Sequence, residues 1–555
     1  MTSERLAGIG RWYVRAGLFV LPLAYSWQTY DPYIVPKLLV ARLLVVGLLF
    51  LFIARAFIAR SLVVKRTPLD WPLLAFLASA VVSTLFAENQ NVAVFGIYSR
   101  YDGLLTILTY AALFWLVVQT LEAPGDARKL LWVLLAGGYV VAAIAIVQSV
   151  TDSLRLGVFV PASGTLGQKN VLGAFLALIC PVAYGELAAA RSWGARLLAA
   201  NALTVYGLAL FLSFSRSAWV AVALSAVVVA VGVRGPGLRI ATGAVAGIVL
   251  LAAAIALLAQ AGGLQPQRAD LGEFGDRPAV YQDSLHLVAS RPLTGYGPDN
   301  FGLVFPRFES TDLHQQWDKA HAETLQIAAT QGVLGLAAYL FILVAFVRAF
   351  WRGRHNPGAF AVFAGWVGYT ATLQVNFSAL ASAFPFWIFA AAALEIWGSV
   401  RTAQVGPWRD GRRLARGGSV VAAGATIVIA VASFLPYLAD ARVLAAVNAD
   451  FAGRNRDALA PAEEATRLWP RESVYEVEVG NVAFERQDWV LARDAYVEAA
   501  SLGTYNPLVY RNLAIADRNL GRIAEGREAA RKAVELNSFD TVNRALLAQF
   551  EAAQP

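Results

Sequence analysis

Cysteine is nearly absent from this chain. The single one, Cys180, lies in an apolar run, so no intramolecular disulfide and no thiolate metal site can be built from it. Histidine is scarce too, with four copies in 555 residues, and no HExxH pair or other paired His or carboxylate metal spacing occurs, so neither a metal ion nor a cofactor is expected. A P-loop and a Gly-rich dinucleotide turn are also missing, which excludes ATP hydrolysis as the energy source. Charge is sparse: 15% of residues are charged, where a soluble domain carries nearer a quarter. Against these deficits stand 58% hydrophobic residues and a mean hydropathy of +0.54. The bilayer is the solvent of most of this chain.

A helix needs about 20 apolar residues to cross the hydrocarbon core, and about thirteen segments qualify. Their centres fall near residues 20, 47, 78, 112, 140, 180, 204, 225, 250, 337, 367, 390 and 427. Arg11 and Arg15 precede the first, which lacks a small-residue cleavage site and is soon followed by a second, so it reads as a span rather than a signal peptide. A net charge of +8 would invite nucleic acid, but the basic residues gather in alternate loops. These include Arg60, Lys65 and Arg66; Arg128 and Lys129; Arg191 and Arg196; Arg348, Arg352 and Arg354; and Arg401 to Arg416. That is the positive-inside pattern of a multi-pass inner-membrane protein with a cytoplasmic N-terminus, and no nucleic acid is implied. The long loop at about 261–323 carries Asp270, Glu273, Asp276, Asp283, Asp299, Glu309, Asp312 and Asp318, and is expected on the opposite, periplasmic or extracellular, face.

Residues 1–437 form the transmembrane unit, and from 438 to 555 the sequence turns amphipathic and charged. Ala465, Ala499 and Ala533 recur at intervals of 34, as do Ala458 and Ala492. Thirty-four is the tetratricopeptide (TPR) period, so an external TPR-like domain is expected, with Trp489, Tyr496 and Tyr505 as bulk between its helices. The fold class is therefore all-α: a polytopic helix bundle of about 12–13 spans followed by helical repeats.

Charged residues within spans mark ion or proton paths, and few occur here beyond Arg42 and Arg55, which argues against a pump. Arg42 reads as a snorkelling arginine or as a functional one. In the run FLSFSRSAW, Arg216 is either an interfacial arginine beside a belt Trp219 or a bidentate clamp on a phosphate. Arg277, in GDRPAVYQDSLHLVASRPLTGYG, either pairs with Asp276 or Asp283 or grips a second phosphate oxygen. His321, at the end of the loop, either opens a helix or serves as a general base oriented by Glu323 or Glu309. The lack of a convincing DxD-like pair favours an activated lipid donor over a metal-bound sugar nucleotide.

Several runs in order, GIYSRYDGLLTILTYAALF, GTLGQKNVLGAFLAL, SFSRSAW, RPAVYQDSLHLVASRPLTGYG and AHAETLQIAATQGVLG, resemble the O-antigen ligase and polymerase superfamily, which includes bacterial protein O-oligosaccharyltransferases. The resemblance spans most of residues 30 to 400; it departs at Ala322, where an Asn is expected after the histidine. It implies a metal-independent inverting glycosyltransferase that moves a preassembled glycan from a polyprenyl (undecaprenyl) diphosphate carrier to an acceptor hydroxyl, as in lipopolysaccharide assembly. His321 would then act on the acceptor, Arg216 and Arg277 on the diphosphate, and Lys169 and Arg100 as secondary helpers. The acceptor is a lipid, glycan or protein, and the repeats would hold a protein partner. A polymerase or protein glycosyltransferase of the same superfamily is the alternative reading. A lipid-linked oligosaccharide transporter is the distant one.

Overall fold

The computed structural model describes residues 2–232, 269–313, 316–405 and 412–552. Helices α1 (Ser3–Leu23), α2 (Ile34–Ala59), α3 (Asp70–Leu85), α4 (Gln90–Phe95), α5 (Leu104–Thr120), α6 (Pro124–Leu156), α7 (Lys169–Ala189), α8 (Trp193–Leu212) and α9 (Arg216–Gly232) precede the long loop. That loop contributes α10 (Ala269–Ser290) and the one-turn α11 (Phe301–Val304). After it come α12 (Glu323–Gly353), α13 (Ala359–Leu373), α14 (Leu380–Ile396) and α15 (Arg412–Phe451). A helix covers every expected span centre within the described residues; the one near 250 lies outside them.

Among the described residues, six helices are long and apolar enough to cross a membrane: α2, α6, α7, α8, α12 and the Ala423–Phe451 part of α15. Helices α3, α5, α9, α13 and α14 are apolar but only 15–17 residues long. At about 1.5 Å per residue these reach some 22–26 Å, short of a core about 30 Å thick. Such helices serve where the irregular backbone at their ends is covered by protein. Small residues let the bundle close: a Cβ on Gly365 or Gly368 would sit 2.4 or 2.5 Å from the carbonyl oxygens of Leu178 and Ala177 on α7.

The bundle has two distinct ends. At one, Arg15 pairs with Asp126 at 2.9 Å and Arg55 with Glu122 at 2.8 Å, with Arg11 also on Glu122. There too an antiparallel ribbon, β1 (Leu62–Arg66) and β2 (Arg401–Val405), pairs Leu62 with Val405 and Arg66 with Arg401. The sequence reading placed loops at both strands.

At the other end sits the repeat domain, α16 (Asn455–Leu468), α17 (Ser473–Glu485), α18 (Trp489–Leu502), α19 (Pro507–Asn519), α20 (Ile523–Leu536) and α21 (Thr541–Ala552). Helices α16, α18 and α20 are each 14 residues and start 34 apart; α17 and α19 are each 13 and do likewise. The periodic Ala458, Ala465, Ala492, Ala499 and Ala533 are fully buried between helices, where only small side chains fit. Tyr496 fills the space they leave, and its hydroxyl donates to Asn481 at 2.9 Å. Tyr505 does not join it; it turns away, toward the membrane unit. No break occurs at residue 438, because α15 runs unbroken from Arg412 to Phe451 and its end pairs with α16.

Candidate active site

The links between helices that were expected to face away from the cytoplasm meet at the repeat end of the bundle. Buried Lys37 ties two of them together, its ammonium donating to the carbonyls of Ala24 at 2.7 Å, Tyr33 at 3.0 Å and Thr165 at 2.5 Å. Asp299 fastens a third: its carboxylate accepts from the backbone N–H of Ile97 at 2.7 Å and of Asp102 at 3.3 Å. The segment it holds is contorted, with Ser99 and Tyr101 at φ 68° and 54°, a region non-glycine residues enter rarely.

These links enclose a cavity of about 560 Å³. Its wall includes Tyr30, Tyr33, Tyr98, Arg100, Gln168, Lys319, Phe377 and Tyr505. Arg100 pairs with Asp318 at 2.8 Å, and Lys319 pairs with Asp102 while donating to the Ser378 carbonyl at 3.1 Å. Burial pulls the Lys319 ammonium down, yet Asp102 and Asp299 outweigh it and hold it above its usual range. For Asp299 burial dominates and pushes the carboxyl up to about 6, despite Arg100. Beneath lies a narrower, largely apolar cavity of about 150 Å³, lined by Leu73, Tyr110, Ile342, Phe346 and Trp366; Asp102 and Lys319 line both.

His321 sits behind the cavity wall, 6% exposed, its ring edge-on to Trp317 at 4.7 Å and to Phe377 at 4.9 Å. Phe377 therefore touches both the imidazole and the cavity. The His321 backbone is left-handed at φ 49°, a strained conformation for a non-glycine residue, and its carbonyl accepts from the Tyr281 hydroxyl at 3.2 Å. Helix α12 begins after it, with Ala322 as the cap residue, so His321 does not itself cap the helix. Burial first, then Arg277, Lys319 and Arg100, push the imidazole down to about 3, so it is neutral at physiological pH.

Arg277, on α10, donates to the Val375 carbonyl at 2.7 Å, two residues before Phe377. Asp283 accepts instead from Ser310, backbone and hydroxyl, at 3.0 and 3.1 Å. Arg216 opens α9 and Lys169 opens α7, and the two helix starts are joined by Ser215 donating to Asn170 at 3.0 Å. Lys169 directly follows Gln168 of the cavity wall. Trp219 is no belt residue: it is buried, its indole N–H donating to the Leu210 carbonyl at 2.9 Å. The Glu323 carboxylate accepts from the Ser378 N–H at 2.9 Å, while Glu309 lies against Asp283 and Asp312 and is pushed up to about 7, chiefly by burial. Arg42 is half-buried near Tyr101 and lines neither cavity. Lys37, Asp102, Asp299 and Lys319 were missed by sequence reasoning.

Residues 200–340 match the family model described as O-antigen ligase. The chain carries an O-antigen ligase domain. The matched stretch contains Arg216, Arg277, Lys319 and His321, while most of the cavity wall, from Tyr30 to Gln168 and at Phe377 and Tyr505, lies outside it. No curated protein is significantly similar. Among solved structures, the crystal structure of the APC/C hetero-tetramer Cut9-Hcn1 aligns over 80% of this chain and 76% of that one, at 13% identity and a TM-score of 0.20, a superposition too poor to carry an argument. The match over 200–340 supports a membrane glycosyltransferase or ligase, acting on a glycan donor and an acceptor.

Proposed function

We propose that this ligase moves a preassembled glycan from a polyprenyl diphosphate carrier to an acceptor hydroxyl, on the external face of the cytoplasmic membrane. The observation that carries the reading is His321, neutral and held by two aromatic rings, with Arg277 close enough to depress its basicity. The acceptor oxygen attacks the anomeric carbon, and its proton passes to the imidazole. The bond from that carbon to the carrier's phosphate oxygen breaks, and the diphosphate leaves with the electron pair. Arg277 and Arg216, with Lys169 as a helper, would neutralise the charge it gains.

A group titrating near 3 is a poor base, but one of the cations depressing it, Arg277, lies on the diphosphate's side of the reaction in this scheme. An arriving diphosphate cancels part of that field and so raises the basicity of His321, while burial, the larger cause, still holds it down.

The test is transfer in proteoliposomes from a polyprenyl diphosphate donor, comparing wild type with His321→Ala, Arg216→Ala and Arg277→Ala at equal folded protein. Loss of the base should cost about a hundredfold or more. Equal transfer by all four proteins refutes the site, and lipid movement across the bilayer without transfer replaces the reading with a transporter.

A further inference from the structure

The turn between α18 and α19 carries residues 503–506, and it is seated on the membrane unit rather than hung in solvent. Asn89 donates to the Ser501 carbonyl and Asn91 to those of Leu502 and Arg471, each at 3.0 Å. A Cβ on Gly503 would lie 2.5 Å from Val92, so the repeat backbone presses directly onto α4. A second latch joins Arg307 to Glu88 at 2.8 Å and to Glu535 at 2.7 Å. The seating delivers Tyr505 into the cavity wall, where its hydroxyl meets the buried Arg100 guanidinium at 3.0 Å.

Two features of the wall select a ligand class. Its cations, Arg100 and Lys319, are already paired with Asp318 and Asp102, and Asp31 adds a further carboxylate, so no positive charge is left over for a diphosphate. Four tyrosines, Tyr30, Tyr33, Tyr98 and Tyr505, line a chamber of about 560 Å³ that also offers carboxylates and the Gln168 amide; Tyr30 and Tyr98 stack on each other and Arg100 lies over the Tyr505 ring at 6.0 Å. Flat rings beside mixed donors and acceptors match the apolar faces and hydroxyls of sugars, and the volume lies in the usual ligand-site range of about 300–1,000 Å³.

We propose that the repeat domain is one wall of a saccharide-binding chamber, with Tyr505 stacking on a sugar ring of the glycan undergoing transfer. The inference rests on the transferase reading for the identity of that glycan. Tyr505 is then a specificity-determining residue, and the repeats contribute to substrate binding directly.

Contact is tested without turnover by replacing Tyr505 with the photocrosslinker p-benzoylphenylalanine in the full-length protein. The probe is the radiolabelled lipid-linked glycan fraction of the source membranes, and Val490→p-benzoylphenylalanine, at an exposed repeat position, is the control. Covalent label at 505 and not at 490 is expected; no label at 505, or equal label at both, overturns the proposal. Label at 505 in a protein that transfers nothing sinks the transferase reading while the chamber stands. In the transfer assay, Tyr505→Ala should raise the donor KM about three- to tenfold with kcat within about twofold, and Tyr505→Phe, which keeps the ring, should stay near wild type. If Tyr505→Phe loses as much as Tyr505→Ala, the hydroxyl's contact with Arg100 and not the ring carries the effect, and the stacking role is wrong.

Discussion

Asp440 offers the sharpest perturbation of the joint between the two units. It lies on α15 with no exposed surface, and its carboxylate accepts from the Tyr98 hydroxyl at 2.6 Å, the Asp31 N–H at 2.9 Å and the Tyr475 hydroxyl at 3.3 Å. One side chain thus gathers two membrane-unit links and one repeat helix. Asp440→Ala strands two donors, the Tyr98 hydroxyl and the Asp31 N–H, and leaves the Tyr475 hydroxyl only the Pro436 carbonyl at 3.4 Å; at roughly 1–3 kcal/mol for each unsatisfied donor the sum is about 2–5 kcal/mol. Asp440→Asn keeps one acceptor oxygen but turns an amide toward the other donors, at a cost of about 1–3 kcal/mol. The assay is limited trypsin digestion of detergent-solubilised protein, following release of the C-terminal fragment at Arg442, Arg454 and Arg456. Where opening precedes cleavage, 3 kcal/mol corresponds to about a 150-fold faster cut. Asp457→Ala, which removes only an exposed 3.8 Å pair with Arg454, should leave the rate unchanged. If Asp440→Ala is cut no faster than Asp457→Ala, the joint does not rest on this carboxylate.

The His321 imidazole titrates near 3 when folded and near 6.5 when unfolded, so the folded state resists a proton that the unfolded chain accepts. Stability is therefore full above pH 6.5 and falls by about 1.4 kcal/mol per unit below it, and thermal melts of His321→Gln should lose that slope between pH 6.5 and 4.5. Glu472 behaves oppositely: burial pushes its carboxyl up to about 8, so stability is full below about pH 4.5 and is lost as pH rises toward 8. Glu472→Gln should raise the melting temperature at pH 7.5 and leave it unchanged at pH 4; an equal shift at both pH values contradicts the linkage. Gly332 interrupts α12 at φ 66°, ψ −167°, where a Cβ would lie 2.3 Å from the Leu293 carbonyl oxygen. Gly332→Ala should cost about 3 kcal/mol and speed amide exchange at Gly297, whose N–H donates to Thr330; wild-type exchange would show that this turn does not depend on the break.

Much of this architecture is written locally. Apolar runs mark helix centres because each span buries its own backbone, and the Ala458, Ala465, Ala492 and Ala499 spacing marks the repeats because each unit solves the same packing problem. The alternation of basic loops shows which links share an end, and those links are the ones that meet around the cavity. Other features depend on partners far away in sequence. Lys319 meets Asp102 across 217 positions, and Asp440 meets Tyr98 across 342. Nothing near either residue announces the pair. Tyr505 misled for a related reason: its place after an amphipathic helix fits repeat core, and only docking on Asn89 and Asn91 turns it toward Arg100. The β1–β2 ribbon was invisible because its strands, five residues each, lie in two charged links more than 300 positions apart.

Because α15 enters the repeats without a hinge, the angular setting of the repeat domain is fixed by helical phase. One residue inserted between the span and Asp440 would swing the repeats by about 100° and lift them about 1.5 Å, carrying Tyr505 off the chamber. Seven inserted residues would nearly restore the angle yet raise the domain by about 10 Å, leaving the chamber open. Length changes in this stretch are therefore quantised: the protein tolerates substitution along the rod far better than any insertion or deletion, and grafting another repeat domain onto it requires matching the rotation before matching any contact.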